Sequence, residues 1–307
     1  MPENAIQEQV ILEDEVLRDG LQMESRLFSL EEKENILRGL IEAHVQRIQI
    51  GSFVHPKLVP QMADTDALVR KVIGDIRGVV LTGLLLNRKG LERALSCGLS
   101  HASMSVSASD THSRRNTNQS AEEALAVMTG LIAEAKQAGL TVRGGVQCAF
   151  GCAYEGTVPE ERVLKIASAL TGSGADELNL ADTAGMGNPR MVRSLVLKVR
   201  ELHPRLKVSL HLHDTRGLGL ANMFAGYEEG VRMFDVCAGG LGGCPFIPGA
   251  AGNVPTEDAV HMFERLGVHT GIDVVTLSKV IEELEGLLSR RLPGHMSRVL
   301  RAKGVCA

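Results

Sequence analysis

The sequence predicts an α/β fold, namely a (β/α)8 TIM barrel with an extra C-terminal helix. Eight short apolar segments alternate with eight longer segments that have helical spacing, and such alternation is typical of a parallel sheet wrapped by helices. No linker rich in proline, serine or charge divides the 307 residues, so we expect a single domain. The barrel should cover about 10–270, and the C-terminal helix and tail 271–307. A doubly wound open sheet is the alternative, but it usually has fewer strands per domain.

Each predicted strand is a short apolar run, often rich in valine, leucine or isoleucine. In chain order the strands cover residues 10–16, 45–50, 78–86, 101–106, 141–148, 177–180, 206–213 and 233–238. The predicted helices have apolar residues at the spacing of an amphipathic helix, and Pro189 stands in a first turn, where proline is accepted. They cover residues 30–44, 63–73, 90–97, 121–138, 160–173, 189–202, 219–229 and 256–266, with the extra helix at 274–290.

Two polar segments are longer than the other connections: residues 107–120 after the fourth strand and 239–255 after the eighth. In a barrel both are expected to be loops at the carboxyl ends of the strands. Active sites of TIM barrels form on that face. We therefore expect functional residues in both segments.

Composition argues against several classes of protein. The net charge is −4 with no long basic run, and the chain has no tryptophan and two tyrosines, which argues against nucleic acid as a partner. Residues 1–10 lack the apolar core of a signal peptide, and no apolar run is long enough to cross a membrane, so we expect a cytoplasmic location. The six cysteines form no CxxC pair, which argues against a structural zinc site or a disulfide framework.

Two histidines at the end of the seventh predicted strand are the strongest functional signal. In His211-Leu212-His213, both imidazoles face the same side because residues two apart in a strand do so. Asp19 after the first strand and Asn253 in a glycine-rich loop add oxygen ligands. This mixed set favours Mg²⁺, Mn²⁺ or a similar divalent ion over structural zinc. A single strand histidine is more often a core residue, but the combination argues for a metal.

Further polar residues at the predicted strand ends would converge on the same barrel mouth. The whole set is Arg18, Asp19, Gln49, Ser52, Asp182, Thr183, His211, His213, Cys244 and Asn253. A divalent ion there would chelate a substrate hydroxyl and lower its pKa. Collapse of the alkoxide breaks a carbon–carbon bond if the departing carbon leaves as an enolate, which a thioester makes accessible. Arg18 would stabilise the enolate oxygen, and its alternative role is a salt bridge across the barrel floor.

The glycine-rich run 239–245 surrounds Cys244 and predicts a mobile lid. Cys244 would act there as an acid or base, and the alternative is an unreactive buried thiol. A nucleotide phosphate loop is less consistent with the run, because the Lys-Ser/Thr ending is missing. The cationic pairs Arg88-Lys89 and Arg114-Arg115 follow the third and fourth strands and would meet the phosphates of coenzyme A. Their alternative role is a solvated surface charge.

Five motifs lie at these strand ends and loops. They are Arg18-Asp19-Gly20-Leu21-Gln22, the run from Ser52 to Met62, Cys152-Ala153-Tyr154-Glu155-Gly156, His211-Leu212-His213-Asp214-Thr215, and the segment from Gly240 through Asn253 to Thr256-Glu257-Asp258. Together they resemble the hydroxymethylglutaryl-CoA lyase family of metal-dependent TIM-barrel lyases and synthases, over about residues 12–272.

The resemblance implies a Mg²⁺- or Mn²⁺-dependent cleavage of a 3-hydroxy-3-methylglutaryl thioester into acetyl-CoA and acetoacetate, by a homodimer. The implied metal ligands are Asp19, His211, His213 and Asn253. The implied catalytic residues are Arg18, Asp182, His211 and Cys244. Cys306 is the candidate counterpart of a redox-sensitive cysteine near the family's C-terminus.

The chain departs from the family pattern at positions that line or flank the expected pocket. Gln49 stands where the family has a glutamate, Arg216 replaces a tyrosine, and Ser25 replaces a lysine. Residues 14–17 read Asp-Glu-Val-Leu where the family has Glu-Val-Gly-Pro. We expect substrate contacts from Gln22, Gln49, Ser52 and Arg216.

These departures leave the acyl group of the substrate open. A related thioester such as citramalyl-CoA, which would give pyruvate and acetyl-CoA, is the main alternative. A synthase that condenses acetyl-CoA with a 2-oxo acid is a further alternative. A non-catalytic binding or scaffold barrel would need a broken metal shell, whereas all four candidate ligands are present.

Overall fold

The computed structural model of the chain describes residues 8–243 and 252–302. Eight parallel strands follow one another around a closed barrel, and the first pairs with the eighth to complete it. The closure confirms the predicted TIM barrel over the open sheet. The strands are β1 Ile11–Asp14, β2 Arg47–Ser52, β3 Val80–Leu84, β4 His101–Ser107, β5 Thr141–Gln147, β6 Glu177–Asp182, β7 Lys207–Leu212 and β8 Met233–Val236.

Helices follow every strand and form the outer layer. In chain order they are α1 Leu30–Glu42, α2 Thr65–Val72, α3 Arg88–Ser96, α4 Asp110–Thr117, α5 Ala121–Gln137, α6 Glu160–Gly172, α7 Pro189–Leu202, α8 Gly219–Glu228, α9 Thr256–Arg265, α10 Val274–Leu288 and α11 His295–Ala302. Capping boxes begin two of them, with Ser29 before α1 and Ser120 before α5. Helix α10 is the predicted C-terminal helix, and it packs against α1.

The expectation of a polar loop at 107–120 is wrong for its central part, which forms α4. The Ser109 hydroxyl accepts a hydrogen bond from the backbone N–H of His112 (3.1 Å) and caps this helix. Asn118 ends it in the left-handed conformation. The helix has almost no apolar periodicity, so its cap was the one local signal for it. Helix α4 carries Arg114 and Arg115 and lies at the edge of the barrel mouth.

The C-terminal tail also contains a helix that the sequence pattern did not predict. The backbone N–H groups of His295 and Met296 donate to the two carboxylate oxygens of Asp258 (2.9 and 2.7 Å). Asp258 lies in the first turn of α9, so a residue distant in sequence supplies the cap of α11. A tertiary contact of this kind leaves no local pattern.

The apolar core lies between the sheet and the helices. Its members on the strands include Ile48, Leu178, Leu210 and Phe234, all fully buried. Burial of this layer holds the barrel closed. Within residues 8–243 and 252–302, no helix is both long enough and apolar enough to cross a bilayer.

The inside of the barrel is charged, unlike the branched apolar layers typical of this fold. Arg47 on β2 reaches Glu177 on β6 (Nη2 to Oε2, 2.6 Å), and Arg143 on β5 reaches Glu13 on β1 (Nη1 to Oε2, 2.9 Å). Arg143 also donates to Asp235 on β8 (2.7 Å). Because these pairs join strands on different sides of the barrel, their side chains must point inward. They form a polar floor below the mouth.

Candidate metal and substrate site

A cavity of about 770 Å³ opens at the carboxyl ends of the strands and extends into the barrel. One part of its wall is charged and includes Glu15, Arg18, Asp19, His211, His213 and Asp235. Another part carries small side chains from β4, β5 and β6: Ser103, Ser105, Ser107, Gly145 and Ala181. This is the position expected for the active site of a TIM barrel.

Arg18 and Asp19 lie in a π-helical turn, Val16–Gly20, and not at the end of the extended strand predicted over 10–16. Strand β1 ends at Asp14, whose carboxylate accepts hydrogen bonds from the Val16 N–H (2.8 Å) and the Thr256 hydroxyl (2.6 Å). These bonds turn the chain inward. Short π-helical turns are frequent at functional sites, and this one presents both side chains to the cavity.

Three predicted metal ligands meet at one point. Asp19, His211 and His213 each offer a ligand atom, and these atoms all lie within 4.8 Å of one another. The Nε2 atoms of the two imidazoles are 3.0 Å apart. The fourth predicted ligand, Asn253, donates from Nδ2 to Asp19 Oδ2 (2.8 Å).

The chemistry of this donor set fits a divalent cation. The Oδ1 atom of Asn253 is buried and has no hydrogen-bond partner among the described residues, although a buried acceptor normally has one. Two imidazole nitrogens that face each other need either a shared proton or a cation between them. One carboxylate, two imidazoles and one amide oxygen therefore form a mixed N/O ligand set, in which the Oδ1 atom of Asn253 is available to a cation.

Asp235 fixes the orientation of His211. Its Oδ2 atom lies 3.3 Å from His211 Nδ1, so the proton of a neutral His211 is held on Nδ1 and Nε2 remains a ligand atom. A carboxylate behind a ligating histidine is a common arrangement in metal sites. Asp235 is itself held by Arg143.

The two histidines differ in their electrostatics. Burial opposes the charged form of His211, but the carboxylates of Glu15, Asp235 and Asp19 outweigh it and raise the pKa of His211. Burial and the charge on His211 lower the pKa of His213 to about 4. At neutral pH His213 is therefore uncharged and able to bind a cation.

A second cluster of possible ligands consists of Glu15, His211 and Asp235. Guanidinium groups already contact both carboxylates, Arg18 at Glu15 and Arg143 at Asp235. A cation there would have to compete with two fixed positive charges, whereas Arg18 alone pairs with the carboxylate of Asp19 in the first cluster. The cluster that includes Asp19 and His213 is the better metal site.

Arg18 is held at the edge of the metal cluster. Its guanidinium donates to Gln49, to Asp19 and to Glu15. Burial alone would lower the pKa of Arg18, but Glu15 and Asp19 raise it on balance, so the side chain stays charged. Burial raises the pKa of Glu15 to about 8, opposed by Arg18, His211 and Arg143.

Three other predicted contact residues also line the cavity: Gln22, Arg114 and Arg115. The two arginines are exposed on α4, and the Arg115 guanidinium lies 4.4 Å from the centre of the Tyr154 ring. They bring positive charge to the mouth of the cavity. Arg88 forms an ion pair with Glu134 on α5, and Arg88 and Lys89 are exposed residues outside the cavity lining.

Of the remaining predicted residues, Thr183 lines the cavity, whereas Ser52, Asp182 and Arg216 are not part of its lining. Asp182 at the end of β6 accepts hydrogen bonds from the N–H groups of Met186 and Gly187 (2.8 and 2.9 Å), so it shapes the loop there. Ser52 is fully buried, and Arg216 donates to the backbone carbonyls of Ala184 and Gly185. Their substrate and catalytic roles stay predictions.

Two predicted residues fall outside the part of the chain that the structure describes. Cys244 and Cys306 both lie beyond residues 8–243 and 252–302. The catalytic role of Cys244 and the redox role of Cys306 stay predictions.

Sequence reasoning missed three residues that shape the site: Glu15, Arg143 and Asp235. Each is a charged residue at an inward-facing position of a barrel strand or just after it, and each is nearly inaccessible to solvent. The available signal was a charge inside a short apolar run, as in Met233-Phe234-Asp235-Val236. Such charges are rarely buried without a partner or a function.

A closed (β/α)8 barrel with a carboxylate–histidine cluster and a buried arginine at the carboxyl ends of its strands defines a TIM-barrel enzyme with a candidate metal site. The family model described as HMGL-like matches residues 9–283. The chain belongs to this family, and it is a carbon–carbon lyase.

Curated relatives agree over nearly full length. The hydroxymethylglutaryl-CoA lyase YngG of Bacillus subtilis is 38% identical over 285 residues, which cover 93% of this chain and 95% of the relative. The (R)-citramalyl-CoA lyase of Chloroflexus aurantiacus is 39% identical over 300 residues, with 95% of each protein covered.

Solved structures agree as well. The Bacillus subtilis HMG-CoA lyase superimposes with a TM-score of 0.92 at 36% identity, covering 98% of this chain and all of that one. An HMG-CoA lyase from Acinetobacter baumannii in complex with coenzyme A and 3-methylmalate has a TM-score of 0.90 at 35% identity, with 96% of each chain covered.

Proposed function

We propose that the protein is a Mg²⁺- or Mn²⁺-dependent acyl-CoA lyase that cleaves a 3-hydroxy-3-methylglutaryl-CoA-like thioester to acetyl-CoA and acetoacetate. The observation that carries the proposal is the contact of Arg18 with Asp19 beside the two facing histidines, on one wall of a single cavity. The names of the relatives at 38% identity support the same substrate class.

Each group on the charged wall has a role in this reaction. Asp19, His211, His213 and Asn253 would hold the divalent ion, which when bound lowers the pKa of the substrate hydroxyl. A general base would take that proton, the alkoxide would become the ketone of acetoacetate, and the electron pair of the broken carbon–carbon bond would pass into the thioester as an enolate.

Arg18 lies beside this centre and keeps its charge, so its N–H groups are suited to stabilise the enolate oxygen. A proton then returns to the enolate carbon and gives acetyl-CoA. Cys244 remains our candidate for this proton transfer.

Coenzyme A would extend from the metal cluster towards α4. Arg114 and Arg115 are exposed on that helix and line the cavity, so they can meet the phosphates of the carrier. The structure of the Acinetobacter baumannii relative with coenzyme A supports a carrier site in this fold. Arg88 and Lys89 are weaker candidates, because they lie outside the lining and Arg88 is paired with Glu134.

Citramalyl-CoA is the second candidate substrate. The citramalyl-CoA lyase from Chloroflexus aurantiacus is as similar to this chain as the hydroxymethylglutaryl-CoA lyases are. Gln49 replaces the expected glutamate within hydrogen-bonding distance of Arg18, so the surroundings of the acyl group differ from the family pattern.

A direct comparison of the two thioesters tests the proposal. Metal-stripped protein is reloaded with Mg²⁺ or Mn²⁺, and acetyl-CoA release is measured from 3-hydroxy-3-methylglutaryl-CoA and from citramalyl-CoA. We expect metal-dependent release from at least one of them. A His203→Ala variant serves as a control for the loss of a histidine away from the site. This histidine follows α7 outside the cavity lining, so the variant should keep full activity. Metal-loaded protein that cleaves neither thioester would exclude the function.

The homodimer implied by the family resemblance and the cytoplasmic location also stay proposals. Light scattering on the eluting peak of a size-exclusion column measures the mass. A mass of twice the 33.0 kDa chain is the expected result.

A further inference from the structure

Glu15, Arg18 and Gln49 form a closed triangle of hydrogen bonds. Arg18 donates from Nε to Gln49 Oε1 and from Nη2 to Glu15 Oε2. Gln49 closes the triangle by donating from Nε2 to Glu15 Oε1 (2.9 Å). Glu15 and Gln49 are completely buried. Arg18 lines the cavity and is the member that we propose stabilises the enolate.

The amide of Gln49 fits this triangle in only one orientation. Its oxygen faces Arg18, which can only donate, and its nitrogen faces a carboxylate oxygen, which accepts. A glutamate in place of Gln49 would put a second carboxylate oxygen about 2.9 Å from Glu15 Oε1 without water to separate them. Two buried carboxylates at that distance cannot both stay ionised. The amide at position 49 donates to Glu15 in every charge state of the pair, whereas a second carboxyl group there would have to keep a proton in order to donate.

The reverse assignment satisfies the same three bonds, although it exchanges the Glu15 oxygen that lies 3.4 Å from Arg143 Nη2 for an amide nitrogen. With glutamine at position 15 and glutamate at position 49, the new amide oxygen accepts from Arg18 and its nitrogen donates to the new carboxylate. The net charge and nearly the whole volume of the triangle are preserved.

Glu15 also connects the triangle to the metal cluster. Its carboxylate lies 3.5 Å from His211 Nδ1 and 3.4 Å from Arg143 Nη2. A change at Glu15 therefore affects the aim of Arg18 and the setting of one metal ligand together. Gln49 contacts Arg18 and Glu15 but does not line the cavity.

We propose that Glu15 and Gln49 act as one positioning unit for Arg18, in which Glu15 supplies the buried carboxylate and Gln49 is its obligate amide partner. Gln49 is then a positioning residue and not a substrate contact. The inference rests on the proposed function, because it assigns the aim of the arginine that stabilises the enolate.

A reciprocal double-mutant cycle tests the unit with four proteins: the parent, Glu15→Gln, Gln49→Glu, and the double variant that combines both changes. We expect each single change to lower kcat about 10- to 100-fold with KM changed less than about threefold, because Arg18 loses its aim and the binding surface remains. The double variant should regain at least about tenfold in kcat over Gln49→Glu.

The matched control uses another buried carboxylate of the barrel. Glu177 is paired with Arg47 below the site and does not line the cavity. Glu177→Gln removes the same charge, but Glu177→Gln combined with Gln49→Glu should show no rescue of kcat. A further variant, Gln49→Met, lacks both hydrogen bonds without adding charge, and Glu15→Gln should not rescue it.

A second readout separates this inference from the proposed function. Mn²⁺ affinity, followed by electron paramagnetic resonance, needs no turnover. It should weaken in Glu15→Gln and recover in part in the double variant, because Arg18 regains its position there and also donates to Asp19, whereas the contact of Glu15 with His211 stays lost. A parent that cleaves no thioester while the Mn²⁺ cycle shows rescue would overturn the function and keep the unit. An active parent with a double variant no better than the worse single variant would overturn the unit. A Gln49→Glu variant with the full parental kcat would also overturn the positioning unit.

Discussion

The two sides of the cavity wall are built in opposite ways. The side formed by β1, β7 and β8 is packed with charged groups that hold one another, such as Arg18 with Glu15 and Asp235 with His211. The side formed by β4, β5 and β6 carries small side chains at its inward positions, among them Ser105, Gly145 and Ala181. One side therefore fixes the reacting groups, and the other leaves room for a substrate.

The charged side is costly to bury and is stabilised by its own network. Removing an ion pair's partner leaves an uncompensated charge, whereas the complete network satisfies each charge. Arg143 on β5 reaches across the barrel to this side and shows the principle, since it contacts Glu13, Glu15 and Asp235 while almost fully buried. Preorganised charges of this kind need little rearrangement when charge develops in a transition state.

The small side is close-packed along the strands and open towards the cavity. A Cβ atom added at Gly145 would lie only 2.9 Å from the Cβ of Ser105, so these two strands approach each other closely because the residues are small. Larger inward side chains would occupy the cavity itself. The acyl group of the substrate therefore has its steric limit on this side.

Breaking the charged side should give the largest effect. Asp19→Ala removes the only carboxylate in the cluster with His211 and His213, and it also removes a partner of Arg18. We expect turnover to fall at least about 1,000-fold, since the metal supplies several kcal/mol of charge stabilisation. Metal content after dialysis, measured by atomic emission, should fall in parallel.

The matched control for this change is Asp176→Ala, which removes an aspartate that pairs with Lys136 outside the cavity lining. It should keep both metal and turnover. An Asp19→Ala protein that retained metal and parental turnover would show that the ligand set is wrong.

Filling the small side should have a smaller and different effect. Ala181→Leu adds three carbon atoms at a cavity-lining position and removes no polar group. We expect KM for the thioester to rise about tenfold, because one or two lost contacts or a modest displacement are worth about 1–2 kcal/mol. Mn²⁺ affinity should not change.

Ala181→Ser, which is nearly isosteric, is the control and should stay within about twofold of the parent. If Ala181→Leu weakened Mn²⁺ binding as strongly as it raised KM, the two sides would not be independent. Steady-state kinetics and metal titration on the same preparations decide between these results.

The sequence predicted the parts of this site that have a local signature. His211 and His213 follow from strand periodicity, and Asp19 follows from its position after the first strand. The turn that presents Asp19 was not predictable, because Asp14 forms it with the hydroxyl of Thr256, 242 residues away. Tertiary contacts of this kind decide where a strand ends.

The charged residues inside the barrel could not be predicted from the sequence, for a related reason. Whether Glu15 or Asp235 faces the barrel interior depends on strand register, and a shift of one residue reverses it. The pairing of Glu13 with Asp235 across β1 and β8 sets that register in the folded chain. The unusual composition of these short strands indicated that some charge is buried, and only the fold shows which partners it has.

Glu257 extends the comparison to a buried carboxyl group outside the cavity that contacts no guanidinium among the described residues, whereas Glu15 contacts Arg18 and Arg143. Its Oε2 atom accepts from the Gly239 N–H (3.1 Å), and its Oε1 atom has no hydrogen-bond partner among the described residues. Burial, with added repulsion from Asp258 and Asp14, raises the pKa of Glu257 to about 8.

This raised pKa predicts a pH-dependent stability with a definite sign. Because the folded pKa lies above the unfolded value, the contribution of Glu257 is fully present below about pH 4.5 and is lost as the pH rises to about 8. Glu257→Gln cannot ionise, so its free energy of unfolding relative to the parent should increase between pH 5 and pH 8, by about 3 kcal/mol. Urea unfolding of both proteins at pH 5, 6.5 and 8 measures the difference. An offset that stays constant across this range would show that Glu257 is ionised in the fold, and that buried carboxylates here tolerate charge without an arginine beside them.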